Sequence, residues 1–209
     1  MSVVWTLSKQ STDWLLVLLV AASLLGGCSS SPSRSHDPQA AVDGAVQRQF
    51  DKAVAAMRAG DYAQAIPELE QLTEKAPSLA GPWINLGIAR SRIGDTQSAV
   101  EALRKAIEVN PASPAAYTQL GMVYRIGGDF ESSRKAYLDA IEVDPGYSYA
   151  HRNLGILLEI YLQQPDQALQ QYRAYLALQE EQDQEVQKWI VDLERRVAST
   201  QAKTGVARE

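Results

Sequence analysis

The sequence predicts an all-α fold, a solenoid of about four helix-turn-helix hairpins followed by one capping helix. Three kinds of residue recur with a period of 34 residues, which indicates one structural unit per period. They are a Gly-Asp pair near the middle of the unit, a Pro near its end and a Leu-Gly pair in its first half. The periodic positions are Gly60-Asp61, Gly94-Asp95 and Gly128-Asp129; Pro77, Pro111 and Pro145; Leu86-Gly87, Leu120-Gly121 and Leu154-Gly155.

Each unit reads as two helices joined by the Gly-Asp pair. In the third unit Tyr117, Leu120 and Tyr124 recur at i, i+3 and i+7, which predicts an amphipathic helix. Gly128 can adopt the left-handed conformation that ends a helix. Asp129 can then accept hydrogen bonds from the free N–H groups at the start of the next helix. The spacing therefore predicts a tight turn at each Gly-Asp pair.

The glycines of the Leu-Gly pairs predict close helix crossings. Glycine inside a helix costs about 1 kcal/mol relative to alanine, so its presence at Gly87, Gly121 and Gly155 suggests that another helix passes close by. We expect Ala99 and Ala168, in the second helices, to face these glycines.

The pattern W-x₂-L-G-x₂-Y, A-x₃-F, P resembles the tetratricopeptide repeat family. Residues 80–113 and 114–147 carry it most completely, for example at Trp83 and Tyr117. Residues 46–79 lack the early apolar positions, and residues 148–180 contain one extra residue near Gln163-Gln164 and lack the final Pro. The resemblance implies a right-handed solenoid over 45–180 that binds proteins or peptides.

In this family the first helix of each hairpin lines a concave face. The resemblance implies an apolar channel edged by arginines, with side-chain amides beside it. Its residues would be Phe50, Val54, Ile84, Asn85, Ile88, Arg92, Thr118, Gln119, Met122, Arg125, Arg152, Asn153 and Ile156. The alternative is that Ile84, Ile88, Met122 and Ile156 pack against neighbouring helices or the C-terminal helix. The family's chaperone-binding clamp is disfavoured, because Phe50 and Ala115 occupy its lysine positions.

The C-terminal part predicts one more amphipathic helix. Over residues 181–198, Val186, Trp189, Leu193 and Val197 fall on one face, which would cover the apolar end of the stack. Residues 199–209 are expected to be a disordered tail.

The N-terminal part reads as an export signal. Residues 14–25 form an uncharged apolar run, too short to span a bilayer but suited to a signal peptide over residues 1–27. The following Leu25-Gly26-Gly27-Cys28 resembles the lipobox of bacterial lipoproteins, which implies acylation at Cys28. An ordinary secretory signal and an uncleaved anchor are the alternatives. Ser29, directly after the cysteine, resembles the residue found there in lipoproteins that are sorted to the outer membrane. Residues 28–44 read as a flexible tether.

Composition and motifs favour a binding protein. The formal net charge of −5 does not suggest a nucleic-acid partner. No cluster of His, Cys and carboxylate residues has metal-ligand spacing. We therefore expect that the protein binds no metal ion and no cofactor and that it is not an enzyme. The resemblance suggests a scaffold of the cell envelope, facing the periplasm from the outer membrane, that assists pilus, secretion or outer-membrane assembly. An adaptor for peptidoglycan hydrolases or proteases is the alternative, and self-association is a further expectation.

Overall fold

The computed structural model describes residues 38–181 and 183–206, and every regular element within those ranges is a helix. The prediction of an all-α solenoid is confirmed. The helices are α1 (Pro38–Arg58), α2 (Tyr62–Lys75), α3 (Ala80–Arg92), α4 (Thr96–Val109), α5 (Pro114–Ile126), α6 (Phe130–Val143), α7 (Ser148–Ile156), α8 (Pro165–Ala177) and α9 (Gln184–Val206).

Consecutive helices pair into four hairpins, α1–α2, α3–α4, α5–α6 and α7–α8. The second helix of each hairpin also packs against the first helix of the next, and α9 packs against α8. The first helices α1, α3, α5 and α7 contact one another in that order. They therefore form one side of the stack, which positions the candidate site.

The Gly-Asp turns have the predicted geometry. Gly60, Gly94 and Gly128 have φ angles of +79°, +85° and +81°, where a side chain would be strained. The aspartates that follow accept a hydrogen bond from the backbone N–H of the third residue of the next helix, at 3.0–3.2 Å. These bonds satisfy donors that the start of a helix leaves free.

The fourth hairpin turns differently because of its extra residue. The first helix continues from α7 into a π-helical turn, Leu157–Tyr161, and Gln163 adopts φ +53°. A wider helical turn accommodates one additional residue without ending the helix. The side chains that follow Leu157 are consequently placed differently from their counterparts in the other repeats.

The mid-helix glycines lie at close crossings, as predicted, but their neighbours are large residues. A Cβ atom on Gly121 would lie 2.6 Å from the Tyr137 ring, and one on Gly155 would lie 2.6 Å from the Tyr172 ring. At Gly87 it would lie 2.5 Å from Leu103 and 3.1 Å from the Ala99 carbonyl oxygen. Ala99 thus faces Gly87 as expected, through its backbone carbonyl, whereas the atoms nearest to Gly155 belong to Tyr172 rather than to Ala168. At each crossing a bulky side chain fills the space that the missing side chain leaves.

The core is divided along the stack into three clusters, which we call the N-terminal, central and C-terminal clusters. The N-terminal cluster centres on Leu69, Leu72 and Leu86. The central cluster centres on Leu103 and Val123. The C-terminal cluster joins the fourth hairpin to α9, which confirms that α9 shares a core with the last repeat. Its members are Tyr137, Leu154, Leu157, Leu158, Ala168, Leu169, Tyr172, Tyr175, Val186 and Leu193.

Two helix boundaries differ from the sequence-based expectation. The segment 28–44 is predicted as a tether, yet α1 begins at Pro38, a residue type suited to the first turn of a helix. The tail is predicted from residue 199, yet α9 continues to Val206, and the Thr200 hydroxyl donates to the Arg196 carbonyl oxygen. The predicted signal peptide, Cys28, the tether up to residue 37 and residues 207–209 lie outside the described residues.

Candidate protein-binding groove

The candidate groove is formed by side chains of α1, α3, α5 and α7. Two of its apolar residues, Val54 and Ile88, are partly exposed and belong to none of the three core clusters. They occupy equivalent positions, 34 residues apart, on neighbouring first helices. Their side chains are therefore available for an apolar contact with a partner on this side of the stack.

Four other apolar groove residues serve the core as well. Phe50 packs against the N-terminal cluster, Ile84 against the central cluster, and Met122 and Ile156 against the C-terminal cluster. All four remain partly exposed. The alternative that these residues pack against neighbouring helices thus holds for Ile84, Met122 and Ile156, but not for Ile88.

Thr118 does not fit the predicted groove. Its side chain is only 2% exposed, so a partner cannot reach it without movement of the helices. Its hydroxyl oxygen is buried and has no hydrogen-bond partner within residues 38–181 and 183–206. The repeat position alone could not distinguish a groove residue from a buried one.

The side-chain amides are partly occupied by their own helices. Asn85 donates to the Gly81 carbonyl oxygen at 2.9 Å, and Asn153 donates to the Tyr149 carbonyl oxygen at 2.8 Å. Gln119 is half-buried. Asn85 and Asn153 each keep the amide oxygen as an acceptor and one N–H as a donor for a bound backbone.

Arg125 is held against two tyrosines. Its guanidinium carbon lies 5.6 Å from the centre of the Tyr161 ring, and one terminal nitrogen donates weakly to the Tyr161 hydroxyl at 3.5 Å. Burial disfavours the charged guanidinium, but the nearby Tyr137 and Tyr161 hydroxyls outweigh this effect and raise the pKa of Arg125. The group is therefore a permanent cation.

Arg152 is held in a similar way by α9. Its guanidinium carbon lies 5.2 Å from the centre of the Trp189 ring, a distance at which a cation is attracted to an aromatic face. Arg92, in contrast, is exposed at the end of α3. The groove thus contains two half-buried arginines in its C-terminal part and an exposed one nearer its middle.

Tyr161 and Trp189 are functional candidates that sequence reasoning missed. Tyr161 lies in the π-helical turn, outside the 34-residue register. Trp189 is predicted from the sequence only as an apolar residue of the capping helix. Each lies 36 or 37 residues from the arginine that it contacts, so no local pattern connects the two.

The part of the chain that the structure describes contains neither a metal-binding cluster nor a membrane-spanning helix. Within those ranges no group of three His, Cys, Asp or Glu side chains could hold a metal ion. Among the described helices, none combines the length and the apolar character that crossing a membrane requires.

The arrangement defines a class of protein, a helical-repeat scaffold that binds other proteins. The tetratricopeptide repeat model matches residues 50–81, 84–148 and 118–184, which together make up more than half of the chain. The chain therefore belongs to the tetratricopeptide repeat family. Comparison with curated proteins finds no match.

Solved structures share the fold. MamA is 27% identical with a TM-score of 0.57, over 64% of this chain and 77% of MamA. PilF of Pseudomonas aeruginosa is 21% identical with a TM-score of 0.68, over 76% of this chain and 72% of PilF. A thermophilic tetratricopeptide repeat protein of Thermus thermophilus is 20% identical with a TM-score of 0.61, over 73% of this chain and 82% of that protein. At these identities the last two likenesses establish the fold alone.

Proposed function

We propose that this chain is a lipid-anchored scaffold of the bacterial cell envelope, which binds a peptide or helix of a protein partner in its concave groove. Membership of a family of interaction scaffolds supports the general part of this proposal. The observation that carries the groove is the position of Val54 and Ile88, which are partly exposed and outside every core cluster.

The groove is tested by Val54→Glu together with Ile88→Glu. Charges placed on a partner's apolar contact should abolish its capture, while the melting temperature should change little because the two side chains are outside the core. The measurement is affinity capture from solubilised membranes with the anchored protein, followed by identification of the bound protein. Leu138→Glu is the matched control, because Leu138 is 48% exposed on the second helix α6. Retention of the partner by the double variant would reject the groove.

The anchor is proposed at Cys28, which is the only cysteine of the chain. Several acyl chains, each contributing about 0.8 kcal/mol per buried CH₂, would hold the protein stably in a membrane. Cys28→Ser should move the protein from the membrane fraction to the soluble periplasmic fraction. Ser29→Asp, which keeps Cys28, should shift the protein from the outer to the inner membrane in a density gradient. If Cys28→Ser stays in the membrane fraction, the anchor is wrong.

The proposed role is in the assembly of a pilus, a secretion system or outer-membrane proteins. The four first helices contact one another in order, so a groove along them would hold one partner segment at a time. Capture of a structural component of such an assembly by the wild type, and its loss with the Val54→Glu and Ile88→Glu double variant, would support the role. Capture of a peptidoglycan hydrolase or protease with the same dependence would replace it by that of a regulatory adaptor.

A further inference from the structure

Two arginines of the groove carry a half-buried charge that forms no ion pair with a carboxylate of the described residues. Arg125 and Arg152 are both half-buried, and the Nε atom of each is buried without a hydrogen-bond partner in the part of the chain that the structure describes. Neither forms an ion pair there, although eight pairs occur among the described residues. The Val186 N–H and, to a smaller extent, the Arg152 charge lower the pKa of Asp183, yet Asp183 makes no ion pair with Arg152.

The other half-buried arginines of the described residues are each paired with a carboxylate, so an unpaired one is unusual there. Arg90 donates to the Glu70 carboxylate at 2.8 Å, and Arg134 donates to the Glu131 carboxylate at 2.6 Å. A charge removed from water without a partner is costly. The exposed Arg92 does not incur this cost, because water solvates it. The Tyr137 and Tyr161 hydroxyls offset this cost at Arg125, but neither Arg125 nor Arg152 has the carboxylate partner that Arg90 and Arg134 have.

Both guanidiniums are also held in place before any partner arrives. Tyr161 supports Arg125, and Trp189 supports Arg152. The Tyr161 ring is itself fixed by Phe130, with ring centres 4.8 Å apart, and the Trp189 ring is fixed by Tyr172, with ring centres 5.7 Å apart. An arginine that is already immobilised on an aromatic ring loses less side-chain entropy when it binds an anion.

We infer that Arg125 and Arg152 receive two carboxylates of one acidic peptide segment of the partner. This inference rests on the proposed function, because it specifies the chemistry of what enters the groove. Met122 and Ile156 lie on the same two helices and offer apolar surface beside the arginines. The segment therefore has an apolar residue between two acidic ones. Recessed guanidiniums favour a peptide over a membrane surface, because a flat layer of phosphate groups cannot follow them into a groove.

The spacing of the two acidic residues follows from helix geometry. Neighbouring helices lie about 9 Å apart. Arg125 is seven residues further along α5 than Arg152 is along α7, which corresponds to about 10 Å at 1.5 Å per residue. The two Cα atoms are thus roughly 14 Å apart, a length that about four residues of extended peptide span.

The experiment uses a defined probe, the peptide acetyl-Glu-Ala-Leu-Ala-Glu-amide, and its counterpart with Gln in place of both Glu. Binding to the folded protein is followed by calorimetry and by the NMR signals of the arginine Nε–H groups. We expect the Glu peptide to bind at least about tenfold more tightly than the Gln peptide, because a charge-assisted bidentate pair is stronger than a neutral one. Its addition should shift the Arg125 and Arg152 signals.

Variants connect this binding to the two arginines. Arg125→Gln and Arg152→Gln should each weaken the Glu peptide about tenfold, whereas Arg92→Gln should leave it within about twofold because an exposed charge contributes little. Arg125→Lys keeps the charge and loses the planar fork, so it should fold and bind with intermediate affinity. Equal binding of the Glu and Gln peptides, or an equal loss with Arg92→Gln, would overturn the inference.

Two further outcomes separate this inference from the proposed function. If Val54→Glu with Ile88→Glu abolishes partner capture while Arg125→Gln and Arg152→Gln leave it intact, the groove stands and the acidic segment is wrong. If none of these variants affects capture, the proposed function itself fails. Shifts of both Nε–H signals by phosphatidylglycerol vesicles and not by the Glu peptide would identify a lipid surface as the ligand and would also overturn the inference.

Discussion

At the scale of single residues, the three mid-helix glycines show how the repeat makes room for its core. Tyr137 and Leu103 are fully buried, and Tyr172 is 1% exposed. Each lies against the bare backbone of the glycine in the neighbouring helix. The glycine is unfavourable within its own helix, but it permits an aromatic or branched side chain to be buried, which is worth roughly 1.5–3 kcal/mol.

Gly121→Ala is therefore expected to destabilise the protein, although alanine favours helices. Its Cβ atom would lie 2.6 Å from the buried Tyr137 ring, and such overpacking costs about 1–3 kcal/mol. Gly81→Ala is the matched control, because its Cβ atom would make an ordinary 3.6 Å contact with Phe50. It should raise the free energy of unfolding by up to about 1 kcal/mol. Chemical denaturation measures both, and equal effects would contradict the close crossing.

At the scale of elements, the beginning of each second helix depends on an aspartate. The Ser98 side chain and backbone N–H donate hydrogen bonds to Asp95 and hold the pKa of its carboxyl below the ordinary value. Ser132 lowers the pKa of Asp129 in the same way. A lowered pKa in the folded state means that ionisation stabilises the fold above pH about 3.9, the value in the unfolded chain. This stabilisation is lost as the pH falls through the lower, folded-state value.

The caps predict how stability depends on acid. Asn also caps helices but does not titrate. The melting temperature of the double variant Asp95→Asn with Asp129→Asn should therefore fall less between pH 5 and pH 2 than that of the wild type. At pH 7 the two proteins should differ little. The control is Asp51→Asn, the same change in the middle of α1. Thermal melts followed by circular dichroism measure the difference, and parallel curves for wild type and double variant would argue against the cap contribution.

At the scale of the whole chain, the stack ends in different ways. In the first hairpin, Gln49 and Lys52 occupy positions that are apolar in later repeats, and both contact Glu68 of α2. This surface is polar. At the other end, α9 buries Val186 and Leu193 against the last hairpin. It is also tied to the π-helical turn by the ion pair between Arg196 and Glu159, whose carboxylate accepts a hydrogen bond from Tyr172.

Leu193→Ala should weaken the stack from its C-terminal end. Truncating a buried leucine to alanine lowers the free energy of unfolding by about 2–5 kcal/mol. Because each repeat contacts only its neighbours, this destabilisation should stay near the C-terminal end of the stack. Amide hydrogen exchange should show lost protection in α8 and α9, with α3 and α4 retaining theirs. Val191→Ala, on the same helix but at a residue 45% exposed, should change stability by less than about 0.5 kcal/mol. Uniform loss of protection would indicate that the stack unfolds as one unit.

The sequence by itself determined the hairpins. The Gly-Asp turns, the proline near the end of each unit and the positions of the mid-helix glycines all follow from the 34-residue period. Turns, caps and amphipathic stripes depend on neighbours within a few residues, so a period of 34 residues reveals them. The resemblance to the repeat family also indicated that the first helices share one side of the stack, as their mutual contacts show.

Only the tertiary structure decided how the C-terminal part of the groove is built. It placed a π-helical turn at the end of the first helix of the fourth hairpin, buried Thr118, and set Tyr161 and Trp189 beside Arg125 and Arg152. These contacts join residues 36 and 37 positions apart, across an inserted residue and onto a helix outside the repeat. A periodic pattern cannot encode them, because they depend on how one helix packs on another rather than on the local conformation of either.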